Sequence, residues 1–163
     1  MTGLDPDNCK LCRFVLETGG DWSHLAPADV QPVAVAEDEH WVVALNENQA
    51  SLGRVYLVLK RHEVDVASLT SAEQSSLWQW TSAVKRALDA LFEPDHYNYM
   101  FLMNLTAHAH FHIYPRYKES RTFGDAEFVD SQWGGHYDPA ENRRLDDSLQ
   151  STLAEALTLE LRA

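Results

Sequence analysis

Three histidines occupy every second position in the stretch NLTAHAHFHIYPRY, which covers residues 104–117. The residues between His108, His110 and His112 are apolar, and this strict alternation is typical of a half-buried β-strand. Successive side chains of a strand point to opposite faces, so the pattern predicts that all three imidazoles lie on one face of a sheet. Two neighbouring imidazoles on one face can bind a metal ion, which is the first chemistry that the pattern suggests.

Nucleophilic catalysis is the second chemistry. An imidazole with a pKa of about 6.5 is largely neutral at neutral pH and can attack phosphorus, giving an intermediate that hydrolyses readily. His110 is the best-placed nucleophile, because a histidine on either side of it can hydrogen-bond the phosphoryl oxygens. The structural alternative is an exposed sheet face with three solvated histidines.

The two cysteines of the chain, Cys9 and Cys12, form a C-x-x-C motif. Two cysteines cannot make a disulfide framework, so the motif indicates either a redox pair or half of a zinc site. The redox interpretation is disfavoured because no strand precedes the motif. A zinc site requires two further ligands from elsewhere in the chain.

Composition excludes several classes of partner. The formal net charge of −12 argues against a nucleic-acid-binding or membrane-surface protein, since both require a basic face. No apolar run approaches the roughly 20 residues of a membrane span, and the N-terminus lacks the features of a signal peptide. We therefore expect a cytoplasmic protein whose partner is a small molecule.

The remaining sequence predicts the elements that position these residues. Thr70 and Glu73 form a capping box at the start of a helix that extends to Pro94, and a second amphipathic helix is expected from Asp138 onward. A leucine stripe on that second helix indicates core packing or, alternatively, a dimer interface. Two short strands are expected within residues 33–48, around a turn at residues 37–39. One strand each is expected within residues 54–62, 97–105 and 104–117. The connections are too short for repeated βαβ crossovers, which favours an α+β fold with an antiparallel sheet of about five strands, one main helix packed on it and a C-terminal helix.

The motif HAHFHIY and the following PRY resemble the histidine-triad (HIT) family. CKLC, VVALNENQASLGRVYLVLKRH and MNLTAHAHFH resemble its bacterial branch in order and spacing. The resemblance covers residues 8–117 and implies a single HIT-like domain over residues 1–163, with residues 118–163 as a C-terminal extension. It also implies hydrolysis or transfer at a nucleoside α-phosphate.

Matching positions imply roles for the triad. His110 corresponds to the nucleophile, His112 to the residue that contacts the phosphate, and His108 to the residue whose carbonyl orients the nucleophile. Transferase branches usually have glutamine at the third position, so His112 favours a hydrolase.

Four further residues correspond to substrate-binding positions. Asn46 matches a ribose-pocket asparagine and Asn104 a polar residue near the leaving group, while Thr106 offers a hydroxyl to that group. Arg54 replaces the histidine of the usual Gly-His pair, where it either contacts the phosphates or is a solvated residue at a strand end. The glycine-rich approach to the triad is shortened here.

The resemblance also implies a structural zinc ion held by Cys9, Cys12, His62 and His108, with no metal required for the chemistry. The alternative for His62 is a surface residue in a basic cluster.

Three functions follow. The leading one is a HIT nucleotide hydrolase that forms a nucleotidyl-His110 intermediate. The alternatives are a nucleotide-binding HIT-like protein with low activity and a zinc-dependent hydrolase that uses triad histidines as ligands. A homodimer is expected, with the helix of residues 70–92 as its interface.

Overall fold

A computed structural model describes residues 9–16, 33–136, 138 and 141–163. Residues 17–32, whose Gly, Pro and Asp content predicts a loop, lie outside this part of the chain. The described residues form three α-helices, α1 (Lys10–Leu16), α2 (Ser71–Phe92) and α3 (Asp147–Arg162), with a 3₁₀ turn before α2. None of the described helices is long and apolar enough to cross a membrane.

Five antiparallel strands form the main sheet, in the order β1-β2-β3-β5-β4. Their bounds are β1 (Val33–Glu37), β2 (Trp41–Leu45), β3 (Val55–Leu59), β4 (His96–Phe101) and β5 (His110–Arg116). The predicted α+β fold and its antiparallel sheet of five strands are therefore confirmed.

The main helix also begins where the sequence predicts. The Thr70 side chain accepts from the Glu73 amide, and the Glu73 carboxylate accepts from the Thr70 amide, which completes the capping box. The last helix begins at Asp147, so its predicted start at Asp138 was wrong. Asp146 caps it by accepting from the Leu149 amide. The backbone just before this helix, at Arg143, forms hydrogen bonds with the loop after β2 instead.

The two faces of the sheet bury different clusters. Trp41 and Val43 of β2 belong to the larger core cluster, which α2 and α3 cover. Val42 of β2 and Tyr56 of β3 face the other way and pack with Phe14 of α1 in a smaller cluster. The two clusters are separate because successive side chains of a strand point to opposite faces of the sheet.

The leucine stripe of α3 covers the larger cluster. Leu153 and Leu157 are fully buried there, which confirms the core interpretation.

The extension after β5 contains a hairpin that the sequence analysis did not predict, formed by β6 (Arg121–Phe123) and β7 (Ala126–Phe128). Phe128 is buried in the larger core cluster. Beyond the hairpin, Arg143 stacks its guanidinium over the Phe128 ring, 3.9 Å from the centroid. The Gln49 amide donates to the Arg143 carbonyl at 2.8 Å, and the Arg143 amide donates to Asn48 Oδ1 at 3.0 Å. The extension is thus joined to the loop after β2.

Candidate active site and metal cluster

His110 and His112 lie on β5 and face away from α2 and α3. Their neighbours Phe111 and Ile113 belong to the larger core cluster, so the alternation places both imidazoles on the α1 side of the sheet. His108 precedes the strand in a bend, where its amide donates to the Thr106 carbonyl at 2.9 Å. The expectation that one strand carries all three histidines was therefore wrong for His108.

His110 has a defined orientation. Its Nδ1 lies 2.7 Å from the carbonyl oxygen of His108. Because a carbonyl only accepts, this hydrogen bond places the proton on Nδ1 and leaves the lone pair on Nε2. Burial lowers the pKa of His110, partly offset by its bond to His108, so the imidazole is neutral at neutral pH. A neutral imidazole with a free Nε2 lone pair is a competent nucleophile.

His112 and Tyr56 border the nucleophile. The rings of His110 and His112 have centroids 4.8 Å apart, and the Tyr56 ring lies 6.3 and 5.8 Å from them. Burial, with smaller contributions from His110 and Arg54, lowers the pKa of His112 to about 3. The sequence analysis missed Tyr56. The pairing of Tyr56 with His112 across β3 and β5 was the signal that would have identified it.

Arg54 is half-buried beside this face. Its guanidinium carbon lies 4.7 Å from the centroid of the Tyr114 ring, a cation–π contact on the residue two positions after His112. This placement disfavours the alternative of a solvated residue at a strand end.

Several buried polar atoms near the triad face have no hydrogen-bond partner among the described residues. They include Nε of Arg54, Nδ1 of His112 and Oε2 of Glu47, a residue that the sequence analysis did not single out. The Glu47 carboxylate raises the pKa of Tyr56 further, after the larger effect of burial. Buried polar groups in proteins are nearly always paired, so these atoms are candidates for ligand contacts.

The other predicted substrate residues differ in placement. Asn46 is buried, and its Oδ1 accepts from the Asn48 amide at 2.9 Å, so the loop itself uses this oxygen. Asn104 is exposed and Thr106 half-buried in the turn before His108. No hydrogen bond joins the side chain of either described residue to a triad imidazole.

The four predicted metal ligands converge. The donor atoms of Cys9, Cys12, His62 and His108 all lie within 4.8 Å of one another. The Nδ1 atom of His108 is 3.4 Å from each sulfur, and Nδ1 of His62 is 3.0 Å from the Cys12 sulfur. Tetrahedral zinc with sulfur at 2.3 Å and nitrogen at 2.0–2.1 Å requires sulfur–nitrogen separations of about 3.5 Å, so the donor set fits the ion.

The elements around the cluster explain its geometry. Both cysteines lie at the start of α1, and the Cys12 amide donates to the Cys9 sulfur at 3.5 Å. His62 follows β3. The Nε2 atom of His108 donates to the Leu59 carbonyl at 2.7 Å, which leaves Nδ1 unprotonated and available to a metal.

Comparison with known proteins identifies the family of this chain. The HIT domain family model matches residues 28–119, more than half of the chain. Protein hit of Bacillus subtilis strain 168 is 25% identical over 158 residues, which cover 92% of this chain and 97% of that protein. The fold is similar to the zinc-bound histidine triad family protein of Mycobacterium smegmatis, with a TM-score of 0.62, 18% identity and coverage of 97% and 96%. A Hit-like protein from Bartonella henselae gives a TM-score of 0.68 at 14% identity, with coverage of 96% and 98%. The triad, its geometry and the family match together show that this chain belongs to the HIT domain family.

Proposed function

We propose that the protein is a nucleotide hydrolase that cleaves at a nucleoside α-phosphate through a nucleotidyl-His110 intermediate. The hydrogen bond from His110 Nδ1 to the His108 carbonyl supports this proposal most directly, since it directs the nucleophilic lone pair to Nε2. The substrate class, dinucleoside polyphosphates or nucleoside phosphoramidates, comes from the family resemblance. We further propose that the protein acts in the cytoplasm.

The reaction has two displacements. In the first, Nε2 of His110 attacks the α-phosphorus in line, a phosphorus–nitrogen bond forms, and the bond to the leaving group breaks with its electron pair. The imidazole then carries a positive charge, which the His108 carbonyl stabilises. In the second, water attacks the same phosphorus and loses a proton to the solvent, the phosphorus–nitrogen bond breaks, its electron pair returns to Nε2, and a nucleoside monophosphate is released.

The surrounding residues bind the substrate. Arg54 provides a permanent positive charge for the phosphate oxygens, and His112 provides a neutral imidazole that hydrogen-bonds them. Asn104 and Thr106 contact the leaving group. The Oδ1 atom of Asn46 already accepts one hydrogen bond from the Asn48 amide, and we propose that the Asn46 side-chain amide contacts the ribose through its nitrogen or through the second lone pair of that oxygen.

Zinc has a structural role in this proposal. The ion would be held by four protein ligands, Cys9, Cys12, His62 and His108, and would link the start of α1 to the sheet. The catalytic steps use no metal. Of the triad, only His108 belongs to the four-residue cluster of metal-ligand atoms found among the described residues, and His110 and His112 lie outside that cluster.

The test is intact-protein mass spectrometry of the full chain after incubation with an adenosine phosphoramidate or a diadenosine polyphosphate. The wild type should form an adenylylated species or adenosine monophosphate, and His110→Gly should form neither. The matched control is His96→Gly, which removes an exposed histidine on β4 and should retain activity. His110→Asn should still bind nucleotide.

A nucleotide-binding protein with little turnover is the second candidate, favoured by Arg54 at the usual histidine position. Bound nucleotide without adduct or product in the wild type would support this candidate and contradict the hydrolase. Arg54→His would then be the first variant to assay for turnover.

We also propose a homodimer. Strand β4 is an edge of the main sheet, and Tyr99 and Trp78 near it are 40% and 59% exposed while packing against Phe111. Sedimentation equilibrium should give twice the chain mass, and Trp78→Glu should shift the equilibrium to monomer. A monomeric wild type at micromolar concentration would contradict the proposal.

A further inference from the structure

His108 connects the metal cluster to the nucleophile. Its side chain is fully buried, with Nδ1 at 3.4 Å from both cysteine sulfurs and Nε2 bonded to the Leu59 carbonyl at 2.7 Å. Its own carbonyl accepts the Nδ1–H of His110 at 2.7 Å. One residue therefore provides a cluster ligand through its side chain and orients the nucleophile through its backbone.

The backbone between the two groups is short and well anchored. The Ala109 amide donates to the Glu63 carbonyl at 2.6 Å, and the Ala109 carbonyl accepts from the Leu59 amide at 3.1 Å. The His108 amide donates to the Thr106 carbonyl. The His108 carbonyl has no partner other than His110 among the described residues. This carbonyl lies in the same peptide plane as the Ala109 amide, so its direction depends on the Ala109–Glu63 bond together with the backbone of His108, whose side chain lies against the cluster.

We propose that metal binding at the cluster of Cys9, Cys12, His62 and His108 positions the nucleophile, with His108 as the positioning residue that transmits metal occupancy to the tautomer and orientation of His110. The inference rests on the proposed function for its catalytic consequence. Neutral histidine in water populates both tautomers, and only the Nδ1–H form presents a nucleophilic Nε2. A displacement of about 1 Å in such a constellation can reduce the rate about 100-fold.

The primary test is spectroscopic. In the full chain with ¹⁵N-labelled histidines, two-bond nitrogen–proton correlations distinguish the Nδ1–H and Nε2–H tautomers. The zinc-loaded protein should show His110 as a single Nδ1–H tautomer, and removal of zinc by a chelator should give a mixture of both. The exposed His96 and the half-buried His40 serve as internal controls and should not change. A His110 that remains in one Nδ1–H tautomer in folded, metal-free protein would overturn the proposal.

A second variant separates positioning from stability. His108→Cys retains four zinc ligands as a Cys₃His set and removes the imidazole that joins the cluster to Leu59. We expect this variant to bind zinc stoichiometrically and to remain folded, with a mixed His110 tautomer, kcat reduced about 10- to 100-fold and KM little changed. If the metal-free wild type unfolds, this variant carries the test alone. Wild-type kcat together with an unchanged His110 tautomer in zinc-loaded His108→Cys would overturn the proposal.

The spectroscopic measurement needs no substrate, so the two proposals fail separately. If the His110 tautomer changes when zinc is removed but the protein shows no turnover, the hydrolase is refuted and the coupling is retained. If the protein turns over substrate but neither kcat nor the His110 tautomer changes on zinc removal or in His108→Cys, the coupling is refuted and the hydrolase is retained.

Discussion

Replacing Arg116 with methionine should destabilise the fold strongly, because this guanidinium joins the C-terminal extension to β5. Arg116 is 4% exposed and forms a bidentate ion pair with Asp130, with Nε–Oδ2 at 2.6 Å and Nη2–Oδ1 at 3.1 Å. It also donates to Asn98 Oδ1 and to the carbonyls of Gln132 and Gly135. Removing one partner of a buried ion pair costs about 3–5 kcal/mol, chiefly because the other charge is left uncompensated.

The structure places the expected loss at the lower end of this range. The Asp130 carboxylate also accepts from the amides of Tyr117 and Gln132, at 3.3 and 3.1 Å, so it retains two donors after the substitution. We therefore expect Arg116→Met to lower the free energy of unfolding by about 3 kcal/mol. For a chain of this size, that corresponds to a decrease in Tm of about 6–12 °C.

Urea unfolding followed by circular dichroism and tryptophan fluorescence measures this loss. The control is Arg121→Met, which removes a more exposed guanidinium whose Nε donates to the Phe92 carbonyl and should cost about 1 kcal/mol or less. Adding Asp130→Leu to Arg116→Met should recover part of the loss, because the orphaned charge is removed. If residues 1–163 form a single domain, as we propose, both probes should report one transition in the wild type. A loss below about 1 kcal/mol, or a double variant less stable than Arg116→Met, would refute the reasoning.

Three further substitutions, and Gly134→Ala as a control for one of them, test the scaffold. Hydrogen bonds from Arg61 hold the pKa of Glu73 at about 2, below its usual value of 4.5, so this stabilisation is complete above pH 4.5 and is lost as the pH falls toward 2. In urea titrations, the stability difference between neutral pH and about pH 3 should therefore be about 1–2 kcal/mol smaller in Glu73→Gln than in the wild type. Gly53→Ala should cost about 2–3 kcal/mol, because φ is 78° and a Cβ atom would lie 2.7 Å from a core leucine. Gly134→Ala, at φ 82° in open space, should cost only about 1 kcal/mol in the same titration. Leu157→Ala should cost about 2–5 kcal/mol and leave the sedimentation coefficient unchanged, since this leucine is fully buried in the core.

The elements that the sequence predicted correctly are those with local signals. The capping box of α2 and the alternation along β5 each depend on residues a few positions apart. Helix α1, by contrast, has seven residues, too few to be stable without tertiary packing, and it depends on contacts such as that of Phe14 with the sheet. The two strands of the β6–β7 hairpin have three residues each, too few for a recognisable period.

The site shows the same division. Spacing and resemblance indicated His110, His112 and the four cluster residues as candidates, whereas Tyr56 and Glu47 became candidates only through the pairing of β3 with β5 and the burial of individual atoms. Asn46 illustrates local competition. Its Oδ1 is a good acceptor for a ribose hydroxyl, but the Asn48 amide two residues later already occupies one of its two lone pairs.

The position of β5 is determined at both ends by the terminal regions of the chain. At one end, Cys9 just before α1 and Cys12 within α1 contact His108, whose carbonyl orients His110. At the other end, Asp130 of the extension binds Arg116. The seven residues of β5 span about 20 Å, so these two anchors bracket the whole row of imidazoles. Because α2 and α3 pack on the opposite face, weakening either anchor should disturb the histidines before it disrupts the main core.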